Sequence, residues 1–275
     1  MTPGRPAEGA IRGAVLFIAL AVALVPAVSL AVDSFKPSAQ FYTSGVLPSQ
    51  WTLQNYQQAF SGGGQALADL MHSVLVAAAT TVISVTLGTL AAFGLSKSRF
   101  GWATAVTYVI LSVRFYPKIT TILPYFVMMR AFHLLDTPTA LVIAYVSITL
   151  PFVVLIMITF FADLPAGLEE AAAIDGCSVW RTFWHVNLPL ARPALATAAI
   201  LTALFSWNEF LIAASVTSQN ATTLPVLVAG FITDKGIALG QMSAVSVVIV
   251  APIALFILAT QRYLVRGLTL GALKE

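Results

Sequence analysis

The sequence has little charge and almost no cysteine. Only 9% of its residues are charged, whereas a soluble domain carries about 25% charged residues. In contrast, 59% of the residues are hydrophobic, which excludes an ordinary water-soluble domain. The single cysteine, Cys177, cannot form an intrachain disulfide and has no second thiol with which to build a cysteine-based metal site.

Signatures for nucleotide and metal binding are also missing. The chain contains no G-x4-G-K-[ST] phosphate loop, so any ATP that drives its action must be hydrolysed by another chain. Its three histidines, His72, His133 and His185, are scattered and predict no metal-ligand cluster. We therefore expect a chain that is not an enzyme, has no catalytic residues and binds neither a cofactor nor a metal.

Long apolar runs dominate what is present. Several approach the length of about 20 residues that a helix needs to cross a bilayer. They predict an all-α, polytopic membrane protein that forms one domain over residues 1–275. Residues 33–70 are polar and rich in turn formers, so we expect an extracytoplasmic segment there. The six transmembrane helices are predicted near 12–32, 72–95, 102–130, 138–162, 192–216 and 243–265.

The third predicted helix contains two prolines, Pro117 and Pro124. Each proline removes an intrahelical hydrogen bond. Unwound backbone at membrane depth is tolerated only where protein or a water-filled cavity satisfies it. The sequence therefore predicts a kinked or locally unwound helix that forms part of a solute pathway.

The basic residues indicate the orientation of the chain. With six crossings and the N-terminus inside, both termini lie in the cytoplasm, and only Lys36, Arg130 and Lys235 lie on the outer side. Such a bias satisfies the positive-inside rule. The nine cytoplasmic cations are Arg5, Arg12, Lys97, Arg99, Arg181, Arg192, Arg262, Arg266 and Lys274.

Residues 169–189 form an unusually polar stretch, which this orientation makes cytoplasmic. We expect two short helices here, the first beginning after a cap at Asp163 and ending at Asp175–Gly176 because glycine adopts a positive φ easily. Ser178 is the expected cap of the second helix. A helix pair with a rigid turn and exposed aromatic residues suits a docking surface, and an amphipathic loop on the lipid surface is the alternative.

The same stretch resembles the EAA signature of binding-protein-dependent ABC importer permeases, E-A-A-x3-G-x9-I-x-L-P. The match consists of Glu170-Ala171-Ala172, Gly176 and Val186-Asn187-Leu188-Pro189, with valine in place of isoleucine. Further similarity at 207–210, at 223–226 and in the tail resembles the maltose-type carbohydrate permeases, in particular the shorter, six-helix partner of the permease pair. The resemblance implies a type I ABC importer permease fold.

The resemblance also implies a mechanical role for particular residues. A cytoplasmic coupling loop, 163–191, would sit in a cleft of the ATPase, and a cytoplasmic tail, 266–275, would reach toward it through Arg266, Gly267 and Lys274. The residues expected to couple the loop to the ATPase are Glu169, Glu170, Ala171, Ala172, Asp175, Gly176, Leu188 and Pro189.

The resemblance further implies a set of partners. These are a second permease subunit, a cytoplasmic ATPase dimer that holds ATP and magnesium, and an extracytoplasmic solute-binding protein. The chain itself would lie in the bacterial inner membrane, and nucleic acid is not among its expected partners.

Candidate solute-pathway residues occur in three of the predicted helices. Arg114 and Lys118 are charges within the membrane, which usually face a cavity or a partner. They either contact the solute or gate, or pair with Glu209 or with the partner permease. Aromatic rings can stack on a sugar and polar groups can bond to its hydroxyls, although packing roles remain open. The full set is Arg114, Tyr116, Lys118, Tyr145, Trp207, Asn208 and Glu209, and Tyr125 is a further stacking candidate.

These patterns together predict the permease subunit of an ABC importer for a sugar, oligosaccharide or sugar alcohol. One alternative is a secondary transporter or channel that works alone, because intramembrane charges are typical of such proteins. The other is an ABC permease for a non-carbohydrate solute, since two buried cations suit an anion.

Overall fold

A computed structural model describes residues 6–42, 45–61, 65–98, 101–234 and 236–269 of the chain. These residues divide into two compact units. The first lies within Met1–Leu67 and Leu227–Pro252, and the second within Ala68–Val226 and Ile253–Glu275. The single domain expected over residues 1–275 stays a prediction, and the two units are described separately below.

Helices account for nearly all of the regular structure. Beside the α-helices there are a 3-10 turn at Ser38–Gln40, a π turn at Phe183–Asn187 and two short strands, β1 (Ile232–Thr233) and β2 (Gly236–Ile237). The helices are α1 (Pro6–Ser34), α2 (Gln54–Ser61), α3 (Gln65–Lys97), α4 (Gly101–Val113), α5 (Lys118–Ala131), α6 (Pro138–Ala162), α7 (Ala166–Ile174), α8 (Val179–Thr182), α9 (Leu188–Leu190), α10 (Arg192–Trp207), α11 (Leu211–Val216), α12 (Leu224–Gly230) and α13 (Leu239–Thr269).

The third predicted helix is broken into two. Its first half, α4, ends at Val113, and its second half, α5, begins at Lys118 after the extended residue Pro117. Proline lacks the N–H that a continuous helix would use, and it disfavours helical backbone in the preceding residue. Pro124 lies inside α5 and does not end it. The predicted unwinding is confirmed, and it occurs at the first of the two prolines.

The fifth predicted helix is also broken, which the sequence analysis did not foresee. The helix α10 ends at Trp207, and α11 begins at Leu211. The side-chain amide of Asn208 donates to the carbonyl oxygen of Leu204 at 2.8 Å. Asparagine side chains of this kind compete with the backbone for hydrogen bonds and favour helix ends. A continuous helix over 192–216 is therefore a wrong prediction.

Three helices are long and apolar enough to cross a membrane, namely Ile11–Ser34, Gln65–Lys97 and Pro138–Ala162. A fourth crossing results if Val179–Leu190 and Arg192–Trp207, which bend by 72° at their junction, form one span. Among the described residues, length and composition therefore identify three or four membrane crossings and not the predicted six. The breaks in the third and fifth predicted helices leave pieces too short to qualify.

The second unit is built around α6. Its residues Ala140, Ala144 and Val154 are fully buried, in two apolar clusters. The helix α3 approaches α6 closely, because a Cβ atom added to Gly88 would lie 2.7 Å from Cγ1 of Val153. One turn along α3, the buried hydroxyls of Ser84 and Thr149 share a hydrogen bond of 2.7 Å. Close backbone approach through small residues with polar bonds beside them is typical of helix packing in membranes.

Asp136, between α5 and α6, holds the segment that follows α11. Its backbone N–H donates to the carbonyl oxygen of Val216, and its carboxylate accepts bonds from the backbone N–H groups of Ser218 and Asn220 at 2.8 and 3.0 Å. Partial burial raises the pKa of the Asp136 carboxyl, but these donors outweigh burial and hold that pKa well below its usual range. The carboxylate therefore joins two connections that are distant in sequence.

The first unit contains all but the last three residues of the segment 33–70, which was predicted to be extracytoplasmic. The buried amide of Asn55, in α2, donates to the carbonyl oxygens of Ser34 and Lys36, each at 2.9 Å. A short β-ladder pairs Ile232 with Ile237 in antiparallel register. The all-α expectation is therefore correct for the architecture and misses this one ladder, because two-residue strands carry no recognisable sequence periodicity.

Candidate functional site

The EAA stretch forms a compact helical loop. The helix α7 ends before Asp175, and Gly176 follows with a φ of +78°. Ser178 caps α8, and its hydroxyl accepts a hydrogen bond from the N–H of Arg181. The predicted turn and the Ser178 cap are confirmed. The predicted Asp163 cap is wrong, because Pro165 precedes α7 whereas Asp163 ends α6.

The loop has an apolar outer surface. The side chains of Ile174 and Trp180 are 87% and 61% exposed, and Val179 and Trp184 are exposed beside them. Exposed apolar residues that cluster in this way mark interaction sites more often than free surface. Glu170, Ala171, Asp175 and Gly176 are also exposed.

The inner side of the loop packs on other helices of the second unit. Ala172 and Phe183 are buried, and the ring of Phe183 lies 4.6 Å from the ring of Phe93 in α3. Glu169 points to the same side, where its carboxylate accepts hydrogen bonds from the ammonium of Lys97 and the amide of Asn187. The predicted coupling residues therefore separate into an exposed group and an inward-facing group.

Other predicted coupling residues occupy the end of the loop and the tail. Leu188 and Pro189 are half-buried in α9, directly after the π turn. Arg266 and Gly267 lie in the last turns of α13. Lys274 falls outside the described residues.

A cavity of about 250 Å³ lies in the second unit, beside the two helix breaks. Five of the seven predicted pathway residues line it, from both breaks and from α6. They are Arg114, Tyr116, Lys118, Tyr145 and Glu209. Trp207 and Asn208 do not line it, and the Asn208 amide is turned back onto α10.

An ion pair joins the two helix breaks. The Nζ atom of Lys118 lies 2.8 Å from Oε2 of Glu209, and Glu209 is buried. The other carboxylate oxygen of Glu209 accepts the N–H of Ile212 at 3.2 Å, and the Tyr145 hydroxyl donates to the Glu209 carbonyl oxygen. Of the two interpretations for Lys118, pairing with Glu209 is the one observed.

Arg114 has a different environment. Its guanidinium carbon lies 4.9 Å from the centroid of the Phe152 ring, in a cation–π contact. It forms no ion pair with an acid among the described residues. Arg114 therefore lines the cavity while contacting an aromatic ring rather than an acid of the described residues.

Sequence reasoning did not assign several polar groups of this cavity. The hydroxyls of Tyr125 and Ser147 form a hydrogen bond at its wall, and the buried hydroxyl of Ser206 has no hydrogen-bond partner within the described ranges. Tyr125 was considered only as a stacking ring. Serine is common in packed membrane helices, so it provides little signal of its own. Within the same ranges, no group of three His, Cys, Asp or Glu residues could hold a metal ion.

Comparison with known proteins defines the class. The fold, the EAA loop and the apolar helices are those of an ABC importer permease, and residues 84–270 match the family described as binding-protein-dependent transport system inner membrane component. The chain belongs to this family. Its members are transport subunits of the inner membrane and not enzymes, and the family name implies a solute-binding protein as a partner and an ATPase that drives transport.

Relatives match over nearly their whole length. The chain is 36% identical to the trehalose transport system permease protein SugB of Mycobacterium tuberculosis, covering 92% of this chain and 93% of the relative. It is 35% identical to the sulfoquinovosyl glycerol transport system permease protein SmoH of Agrobacterium fabrum, covering 94% of this chain and 93% of the relative. It is 33% identical to the trehalose/maltose permease protein MalG of Thermococcus litoralis, covering 96% and 95%.

Solved structures share the fold. A chain of a bacterial ABC transporter for import of the acidic polysaccharide alginate superposes with a TM-score of 0.81 at 22% identity, covering 95% of this chain and 99% of that one. The methionine transporter MetNI gives a TM-score of 0.56 at 20% identity, covering 74% and 94%. At these identities the likeness shows the fold alone.

Proposed function

We propose that the chain is the permease subunit of an ABC importer that carries a sugar, an oligosaccharide or a sugar derivative into the cell. The observation that carries this proposal is the similarity, at 33–36% identity and over at least 92% of the chain, to permeases whose names specify trehalose, maltose and sulfoquinovosyl glycerol. The cavity between the two broken helices supports it, since its lining includes hydroxyl and charged groups, which can bind sugar hydroxyls.

The chain works with four other subunits in this proposal. A second permease completes the pathway, two ATPase subunits bind ATP and magnesium, and a solute-binding protein delivers the sugar from outside. The chain crosses the inner membrane six times with both termini in the cytoplasm, and the broken third and fifth helices each count as one crossing. The excess of basic residues on the cytoplasmic side supports this orientation.

Residues 163–191 are the cytoplasmic coupling loop. The exposed surface around Ile174 and Trp180 docks into the ATPase, together with Glu170, Ala171 and Asp175. The positive φ of Gly176 sets the angle between α7 and α8, and therefore the shape of this surface. Closure of the ATPase pulls on the loop and drives alternating access. The tail with Arg266, Gly267 and Lys274 makes a second contact with the ATPase.

The cavity is this subunit's part of the solute pathway. Arg114 and Tyr116 offer a cation and an aromatic face, and the pair of Lys118 with Glu209 bridges the two breaks that line it. Unwound backbone is acceptable at this depth because the cavity and these side chains satisfy it. Tyr145 supports Glu209 from α6. Trp207 and Asn208 lie outside the cavity and serve the pathway indirectly, by ending α10.

The first experiment purifies the tagged chain from its native membrane in mild detergent, beside the variant Gly176→Pro. Mass spectrometry of the wild type is expected to identify a P-loop ATPase, a second EAA-containing permease and a solute-binding protein. The variant is expected to insert normally and to lose the ATPase, because proline cannot adopt the φ of +78° found at Gly176.

The same preparation tests the substrate. The complex is reconstituted in proteoliposomes with its binding protein, and ATP-dependent uptake of radiolabelled trehalose and maltose is measured. The binding protein is also screened by thermal shift against neutral and anionic sugars. Recovery of the chain alone, with uptake that needs no ATPase, would contradict the proposal.

A further inference from the structure

Glu169 makes two hydrogen bonds through one carboxylate oxygen. Its Oε1 atom accepts from the ammonium of Lys97, the last residue of α3, and from the amide of Asn187 at 2.9 Å. Lys97 is 72 residues away in sequence and Asn187 is 18 residues away. One side chain therefore joins α7, the π turn and the end of α3.

The surroundings shield these bonds from water only in part. The side chains of Lys97 and Glu169 are 32% and 28% exposed, and Asn187 is buried. The Lys97 ammonium also lies 5.7 Å from the centroid of the Phe93 ring, which packs against Phe183 of the loop. Salt screens a half-buried ion pair that packs on an aromatic ring less than it screens a fully exposed pair.

The chain itself joins the loop to only two spanning helices. The loop follows α6 directly at its beginning and leads into α10 at its end. The helix α3 is not adjacent to the loop in the chain, because α4, α5 and α6 lie between them. The contacts of Glu169 and the packing of Phe93 on Phe183 are among the contacts that hold α3 to it, and Ala92 of α3 lies in the same apolar cluster as Phe183.

Glu169 and its neighbour Glu170 face opposite ways. Glu170 is exposed on the outer side of α7, whereas Glu169 is half-buried against α3. We propose that Glu169 is a positioning residue that fastens the loop to α3 through Lys97 and Asn187, so that α3 moves with the loop. This inference rests on the proposed function, in which an ATPase displaces the loop.

Contacts continue from α3 to the cavity. Ser84 of α3 shares a buried hydrogen bond with Thr149 of α6, and Thr149 lines the cavity. A displacement of α3 thus reaches the cavity wall through an unbroken series of contacts, which is how coupling travels between distant sites. Glu169 begins this series at the loop.

The test measures whether the loop and α3 move together. Spin labels are attached to Cys177, the single cysteine of the chain, and to a second cysteine introduced as Val82→Cys on the exposed side of α3. The distance between the labels is measured in the whole importer, without nucleotide and with ATP trapped. We expect no change in the wild-type background, because the two elements move as one body.

Charge reversal supplies the variants. Lys97→Glu and Glu169→Lys are each expected to produce an ATP-dependent change in the label distance, and to lower trehalose or maltose uptake per ATP by about fivefold or more. The double variant again places opposite charges at the two positions. It is expected to restore the constant label distance and the wild-type uptake per ATP. Arg192→Glu is the matched control for Lys97→Glu. It replaces a cation with an anion at an exposed residue directly after the loop.

Two results would overturn the proposal. One is a label distance that stays constant in both single variants. The other is a double variant that behaves like the singles while the complex remains assembled. A role in folding alone would lower the amount and the thermal stability of the complex without separating the two labels. If the wild type shows no ATP-dependent uptake, the proposed function fails and the inference fails with it. ATP-dependent uptake together with a constant label distance in both single variants overturns the inference alone.

Discussion

The Nζ atom of Lys118 lies 2.8 Å from Oε2 of Glu209, so that a cation at one helix break pairs with a carboxylate at another. Lys118 begins α5, and Glu209 lies between α10 and α11. The pair thus holds together two membrane segments whose own hydrogen bonding is interrupted. It does so at the wall of the cavity.

The first prediction concerns this pair. Lys118→Gln leaves the buried Glu209 carboxylate without its cation and should cost about 1–3 kcal/mol of stability. Glu209→Gln should cost a similar amount, and the double variant less than the sum of the two. Thermal unfolding of the purified complex measures the three values, with Arg130→Gln as an exposed control on the same helix. Strict additivity within about 0.5 kcal/mol would show that the pair is not coupled.

The second prediction uses two glycines of residues 163–191, the loop that we propose couples to the ATPase. Neither Gly176 nor Gly167 has an atom within 4 Å of an added Cβ, but only Gly176 has a positive φ. Gly176→Ala should therefore cost about 1–2 kcal/mol through backbone strain alone. Gly167→Ala should be neutral or stabilising, because alanine favours helix. The ATPase retained on purification and ATP-dependent uptake should fall for Gly176→Ala only, and equal behaviour of the two variants would count against a role for the turn.

The third prediction concerns the contact between α3 and α6. A Cβ at Gly88 would lie 2.7 Å from Cγ1 of Val153, whereas Gly94 on the same helix has no atom within 4 Å of an added Cβ. Gly88→Ala should therefore lower the thermal midpoint of the complex, at a cost of about 1–3 kcal/mol for overpacking. Gly94→Ala is the matched control and should leave the midpoint unchanged or raised. A Gly88→Ala protein as stable as the control would exclude close packing at this point.

The fourth prediction concerns pH. The pKa of the Asp136 carboxyl is lowered in the folded chain, so its contribution to stability is present above the unfolded pKa of about 3.9. That contribution is lost as the pH falls below this value toward the folded pKa. Asp136→Asn should lower the thermal midpoint at neutral pH and reduce its decline in acid.

Asn220→Ala provides the comparison for Asp136. It removes one side-chain donor and keeps the backbone donors of residues 218–220, so it should cost less and retain the acid dependence. Thermal unfolding at several pH values between neutrality and the acid range measures both effects. If the thermal midpoint of Asp136→Asn declines in acid as much as that of the wild type, groups other than Asp136 cause the decline.

Local patterns predicted much of the candidate site. The spacing of Glu170, Gly176 and Pro189 matched the EAA signature, and the turn at Gly176 and the cap at Ser178 are found where they were expected. Pro117 predicted the break in the third helix. These signals are readable because each depends on the backbone preferences of a few neighbouring residues.

Contacts between distant residues could not be predicted in the same way. The sequence analysis offered Glu209 as one of two partners for Lys118, did not foresee the break between α10 and α11, and assigned Glu169 to the ATPase without its inward contacts. Each depends on which helices pack together, and periodicity within one helix carries no information about its neighbours.

The sequence by itself therefore determined the class of the protein, its apolar helices and the position of its EAA loop, because composition and motif spacing are local properties. Only the tertiary structure decided which of the polar residues meet. It brought Lys118 to Glu209 across 91 residues and Asp136 to Ser218 across 82. The physical reason is that buried polar groups need partners, and packing decides which ones lie within reach.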